Sequence, residues 1–167
     1  MASDLAMKTQ KTVEEIFSIL EKKKELVSSA ESCTGGLLAT VLTDVPGSSN
    51  FYEGGVTAYS NYAKQRLLGI DGTLLSTVGA VSQEVAVAMA QSVRAKLNTR
   101  YGIAITGIAG PGGGTKEKPV GTVWWAISDK GRTTSECLGL KGDRNSIRKQ
   151  TVEIVLKKLL NIVKSNV

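Results

Sequence analysis

The chain is 167 residues long and carries a formal charge of +6, two cysteines and no histidine. That length suits one domain over 1–167 with its core in 12–160, and the cysteine and histidine counts exclude a disulfide framework or a zinc cluster of recognisable spacing. Much of the basic excess falls in "EKKKE" at 21–25 and in the lysines of the last helix, which read as solvated faces, and too few aromatics interleave with them for nucleic-acid binding to be expected.

In chain order, Thr12 and Glu15 form a capping-box pair opening a first helix, with Val13, Ile16, Phe17 and Leu20 at helical spacing. The leading "MASDLAMKTQKTVEE" lacks the apolar run and cleavage pattern of a secretory signal, and no run reaches the roughly 18 residues of a membrane span. A cytoplasmic protein without membrane contact is therefore expected. "LVSSA" at 26–30 reads as a short strand, and "TGGLLATVLTDV" from Thr34 as a helix closed by the turn "PGSS" at 46–49. "GGVTAYS" at 54–60 is a second strand running into a short helix, "NYAKQRLLGI", with Asn61 as its expected cap. Ser82 opens the helix "QEVAVAMAQSVRAKL", and "YGIAITG" at 101–107 is a buried strand. The glycine-rich "GIAGPGGGTKEKPVG" at 107–121 is a loop, "TVWWAIS" and "TTSECLGL" flank "DKGR" as an antiparallel hairpin, and an amphipathic helix covers 143–164. Strands separated by helices, then a hairpin and a helix, predict an α/β fold: a three-layer α/β/α sandwich with a mixed β-sheet.

Chemistry concentrates in "AESCTGG" at 30–36. Ser32 falls where a strand hands over to a helix, so its hydroxyl stands beside backbone N–H groups that can stabilise an oxyanion, and Thr34, Gly35 and Gly36 are small enough for a substrate to approach. Two readings stand side by side here, an N-cap serine and a nucleophile. Glu31 reads equally as an ion-pair residue. Cys33 competes as nucleophile, since a thiol at a helix N-terminus has a lowered pKa, or it is a small buried apolar residue. With no histidine to serve as base, the candidate is Lys64, placed in the first turn of a helix where the dipole disfavours an ammonium. Tyr59 could pass a proton or hold the substrate. An exposed lysine and a packed tyrosine are the plainer alternatives.

"TGIAGPGGG" from Thr106 to Gly114 packs five glycines into nine residues after a strand, where α/β sheets bind ligands. It matches neither a Walker loop nor a dinucleotide fingerprint; its N–H groups can cradle a phosphate, an anionic ligand that a basic domain favours, with a flexible connection as the equal alternative. Arg144, at the start of the last helix, suits forked recognition of phosphate or carboxylate, with a surface salt bridge as the equal alternative. Ser146 and Lys149 match S-x-x-K by chance within an ordinary helix.

Together "AESCTGGLLA", "GGVTAYSNYAK", "GAVSQEVAVAMA", "TGIAGPGGGTKEKPVGTVW" and "GDRNSIR" closely resemble the family of the C-terminal domain of the competence and damage-inducible protein CinA, over roughly Thr12 to Leu160. The resemblance implies a three-layer α/β/α fold and hydrolysis of nicotinamide mononucleotide to nicotinate mononucleotide and ammonia. It also implies Ser32 as nucleophile with Lys64 and Tyr59 beside it, in a stand-alone amidase lacking the upstream CinA domain that binds molybdopterin-like ligands. One departure is "LGLKGDR", where many relatives carry an aromatic residue or histidine before the glycine. Substrate contacts are then expected from Glu31, Cys33, Thr34 and Gly35 on one side, and from Thr106, Gly107, Gly110, Gly112, Gly113 and Arg144 on the other. Neither a metal nor an organic cofactor is expected, and the expected partners are the nucleotide substrate and further copies of the chain in a homo-oligomer. The rival expectation is a silent nucleotide-binding or protein-interaction module linked to competence or recombination.

Overall fold

A computed structural model describes the chain over residues 2–166. Five strands, β1 (Val27–Glu31), β2 (Tyr52–Thr57), β3 (Tyr101–Gly107), β4 (Thr122–Ser128) and β5 (Thr133–Gly139), form one mixed sheet in the order β2-β1-β3-β4-β5. β1 pairs parallel with both β2 and β3, while β4 runs antiparallel to β3 and β5 antiparallel to β4. Among the described residues there are six α-helices, α1 (Ala2–Lys23), α2 (Leu37–Thr43), α3 (Asn61–Leu68), α4 (Gly72–Val78), α5 (Gln83–Lys96) and α6 (Arg144–Ser165), and a short 3-10 helix at Ser48–Asn50. Among the described residues no helix is long and apolar enough to cross a membrane.

The strand alternation sorts the side chains into two cores. Tyr101, Ile103 and Ile105 of β3 and Val123, Trp125 and Ile127 of β4 face α1, α2 and α6, where they meet Val13, Ile16, Leu20, Leu38, Leu42 and Leu156. The opposite face is built of small residues in register, Ala30 beside Ala104 beside Ala126, and it takes α5 through Val85, Ala86, Met89, Ala90 and Val93. The approach there is close: a Cβ on Gly102 would lie 2.3 Å from the Ala90 carbonyl oxygen. The three layers expected from the order of elements are thus formed.

Several boundaries differ from the sequence reading. Thr12 does not open α1, which already runs from Ala2; its hydroxyl instead donates to the Lys8 carbonyl inside the helix. α2 starts at Leu37 rather than Thr34, because Gly35 and Gly36 adopt φ of +58° and +96° and end any helical path through them. β2 covers 52–57, two residues upstream of the expected strand. The cap of α3 is Ser60, whose side chain accepts from the Ala63 N–H, and Asn61 is its first helical residue. α4 was not anticipated; Asp71 caps it by accepting from the Thr73 N–H. Ser82 and Asp143 cap α5 and α6, so both helices begin where the sequence places them.

Candidate active site

The order β2-β1-β3 makes the chain leave β1 toward one neighbour and return on the other side. The β1–α2–β2 crossover covers the face shared with α1 and α6, and the path through α3, α4 and α5 to β3 covers the other. The carboxyl ends of β1 and β3 therefore diverge into a crevice, the position where open α/β sheets bind ligands. Ser32 is the first residue beyond β1, and its N–H extends the ladder by donating to the Ile105 carbonyl at 2.9 Å. Ala58 does the same beyond β2, donating to the Glu31 carbonyl at 2.8 Å.

Lys64, expected in the first turn with Asn61 as cap, is the fourth residue of α3 because Ser60 is the cap, and it reaches back to this edge. Its Nζ lies 2.9 Å from Ser32 Oγ, 3.0 Å from the Ala58 carbonyl oxygen and 3.4 Å from that of Tyr59. The side chain is 1% exposed and Ser32 8% exposed, so the pair is almost dry. Burial lowers the Lys64 pKa below the ordinary lysine value, an effect that the negative charge of Cys33, once ionised, opposes. The two carbonyls can engage two N–H bonds of a neutral amine, leaving its lone pair toward the Ser32 hydroxyl. That is the geometry of a base poised over a nucleophile. Cys33, in contrast, is pushed up to about 11 by burial, which keeps it a thiol at neutral pH.

The turn after Ser32 has its own supports. Glu31 is 1% exposed, and its carboxylate accepts from the N–H groups of Gly36, Leu38 and Ala39 at 2.8–3.1 Å, supplying from one strand earlier the cap that α2 lacks at Gly36. The Gly35 N–H donates to the Ser32 carbonyl at 3.0 Å. The N–H groups of Cys33 and Thr34, inside that turn, have no acceptor on another described residue, the Cys33 N–H facing its own sulfur. Backbone donors of this kind, beside a nucleophile, are what an oxyanion requires.

The remaining residues named from the sequence divide into two groups. Arg144 Nη1 donates to the Gly110 carbonyl at 2.8 Å and Nη2 to the Tyr59 hydroxyl at 2.6 Å, so Tyr59, the glycine-rich loop and α6 meet at the mouth of the crevice. Tyr59 is 56% exposed there, and it is its carbonyl, not its hydroxyl, that touches Lys64. Gly112 and Gly113 are exposed in the loop, and Gly110 is buried against Val120. Thr106 is buried and its hydroxyl is engaged, donating to the Ala80 carbonyl at 2.9 Å, while Gly107 is the last residue of β3 against Val123. Arg148 was missed: its Nη2 donates to the Thr34 carbonyl at 2.7 Å. Its place one turn after Arg144, on the same face of α6, was the available signal. Glu31 was named, but nothing in its spacing announced a cap reaching five to eight residues ahead.

The chain is similar to known proteins over most of its length. The family described as the CinA C-terminal domain matches residues 9–163. A Pseudomonas putida protein named nicotinamide-nucleotide amidohydrolase PncC is 48% identical over 136 residues, which cover 81% of this chain and 85% of that protein. A CinA-like protein of Amoebophilus asiaticus is 50% identical over 134 residues, 80% of this chain but 32% of the relative; the chain thus spans about a third of that relative's length. Among solved structures, a competence/damage-inducible protein from Agrobacterium tumefaciens superposes with a TM-score of 0.89 at 38% identity, covering 92% of this chain and 95% of that one.

Proposed function

The chain belongs to the CinA C-terminal domain family, and from that premise we propose that it hydrolyses the carboxamide of nicotinamide mononucleotide, giving nicotinate mononucleotide and ammonia. The reading rests above all on the 2.9 Å contact between Lys64 Nζ and Ser32 Oγ in a nearly dry site. Burying a lysine against a serine hydroxyl carries a desolvation cost that a silent binding module has no use for. The identity to the Pseudomonas putida protein over most of both chains supports the choice of substrate.

Neutral Lys64 takes the proton of Ser32 as Oγ attacks the carboxamide carbon, and the carbonyl oxygen, now negative, is received by the N–H groups of Cys33 and Thr34. The C–N bond then breaks, the proton held by Lys64 passes to the leaving nitrogen, and ammonia departs. Water, giving a proton to Lys64 in its turn, adds to the acyl carbon; the tetrahedral intermediate collapses, Ser32 recovers its proton and nicotinate mononucleotide is released. Arg144 and the glycine-rich loop receive the ribose phosphate at the mouth of the crevice. Ammonia release from nicotinamide mononucleotide tests the reading directly. Ser32→Ala abolishes it while the protein stays folded, and Cys33→Ala retains most of it; a dead cysteine variant beside an active serine variant would overturn the assignment of the nucleophile.

A further inference from the structure

The turn that follows Ser32 is gripped by opposite charges. The Glu31 carboxylate collects the Gly36 N–H and those of Leu38 and Ala39 at the start of α2, and on the carbonyl side Arg148 holds Thr34 O at 2.7 Å. The Thr34–Gly35 peptide is thereby fixed at both ends, its carbonyl accepting from Arg148 and, at 3.1 Å, from the Leu37 N–H, and its own N–H donating to the Ser32 carbonyl at 3.0 Å. It needs such fixing, because the next two residues are glycines in the left-handed region, with no Cβ to resist rotation. Arg148 also lies tight against the turn: Nη2 would be 3.6 Å from a Cβ on Gly35, and its Nε and the Thr34 hydroxyl are both buried without a hydrogen-bond partner among the described residues. Desolvating these groups is unfavourable, so the contact is not that of a drifting surface arginine.

We propose that Arg148 is a positioning residue for the reaction: by holding the Thr34 carbonyl it keeps the N–H groups of Cys33 and Thr34 oriented toward the developing oxyanion. The proposal rests on the amidase reading above. Arg144, one turn earlier, stands at the mouth where substrate is received; Arg148 acts through the turn alone.

The test compares the wild-type chain with Arg148→Met and Arg148→Lys by amide hydrogen exchange and by steady-state ammonia release. In Arg148→Met the Gly35 amide exchanges at least about tenfold faster. The kcat for nicotinamide mononucleotide falls about 10- to 100-fold while KM stays within about threefold. Arg148→Lys, which keeps one donor for the carbonyl, restores most of both. Should Arg148→Met fail to fold, Arg148→Gln, whose shorter amide does not span the gap, carries the same comparison. Unchanged exchange overturns the proposal, and so does an unchanged kcat or a loss carried by KM, the last of which would make Arg148 a substrate contact. A wild type that releases no ammonia overturns the amidase reading instead, and the exchange result then decides by itself whether Arg148 holds the turn.

Discussion

In the proposed reaction Lys64 does what histidine does in many hydrolases, and the difference should show in the pH dependence. A base acts when neutral, and burial brings Lys64 to neutrality at a lower pH than an ordinary lysine. The kcat/KM for the carboxamide is therefore expected to rise with pH along one ionisation and to level off above the lowered Lys64 value, on the alkaline side of a histidine base at about 6.5. Lys64→Arg should be as inactive as Lys64→Ala, a loss of about 10²- to 10⁴-fold in kcat, because guanidinium keeps its proton. Near-normal turnover in Lys64→Arg would remove lysine from the role. The same shift acts on stability. Between the lowered folded value and the ordinary unfolded one, the unfolded chain binds the proton that the native protein has released, so unfolding free energy rises with pH across that window. Urea midpoints recorded through it should climb for the wild type, and in Lys64→Met the contribution from this residue should vanish.

At the scale of the element, the start of α2 is where sequence and structure part most instructively. Threonine and two glycines before an apolar run look like a helix start at Thr34, but two successive left-handed glycines delay the helix to Leu37 and leave a turn in which the N–H groups of Cys33 and Thr34 have no acceptor on another described residue. The cap comes from Glu31, in the preceding strand, a relation set by the angle between β1 and α2 and absent from any local pattern. α1 shows the converse, a capping-box pair that sits in mid-helix because the helix continues upstream of it. The local cap Ser82 before α5 was read from the sequence, whereas Ser60 before α3 and Asp71 before α4, equally local, were not. Glu31→Gln turns an acceptor of three N–H bonds into a group with one oxygen and a donor facing donors, and should cost about 1–3 kcal/mol in urea unfolding. The kcat should fall further than that loss of stability explains, since the same carboxylate shapes the turn beside Ser32. A variant destabilised as expected but fully active would separate the cap from the catalytic turn.

Across the whole molecule, the layers were legible because they rest on local signals, buried strands of period two and helix caps. The partnership of Ser32 with Lys64, in contrast, was one of the alternatives the residues left open and was implied by the family resemblance. The meeting of distant segments was not legible. Arg144 joins α6 to the Gly110 carbonyl and the Tyr59 hydroxyl only because α6 lies across the face of the sheet that ends at the crevice, a consequence of topology that no window of sequence contains. This placement gives the last prediction its form. The exposed guanidinium uses one N–H on Gly110 and one on Tyr59, which leaves further donors of its five for a phosphate entering from solvent. Arg144→Ala removes both the loop contacts and the phosphate contact, and substrates with and without phosphate tell them apart. Loss of the loop contacts should lower kcat/KM equally for nicotinamide mononucleotide and for its phosphate-free nucleoside. The charge-assisted phosphate contact should add a loss of about 10- to 100-fold on the mononucleotide alone, equivalent to about 1.5–3 kcal/mol. Raising the ionic strength should shrink that difference in the wild type, since a contact formed at an exposed guanidinium is screened. Equal losses on both substrates would assign Arg144 to holding the glycine-rich loop and would place the phosphate elsewhere along the crevice.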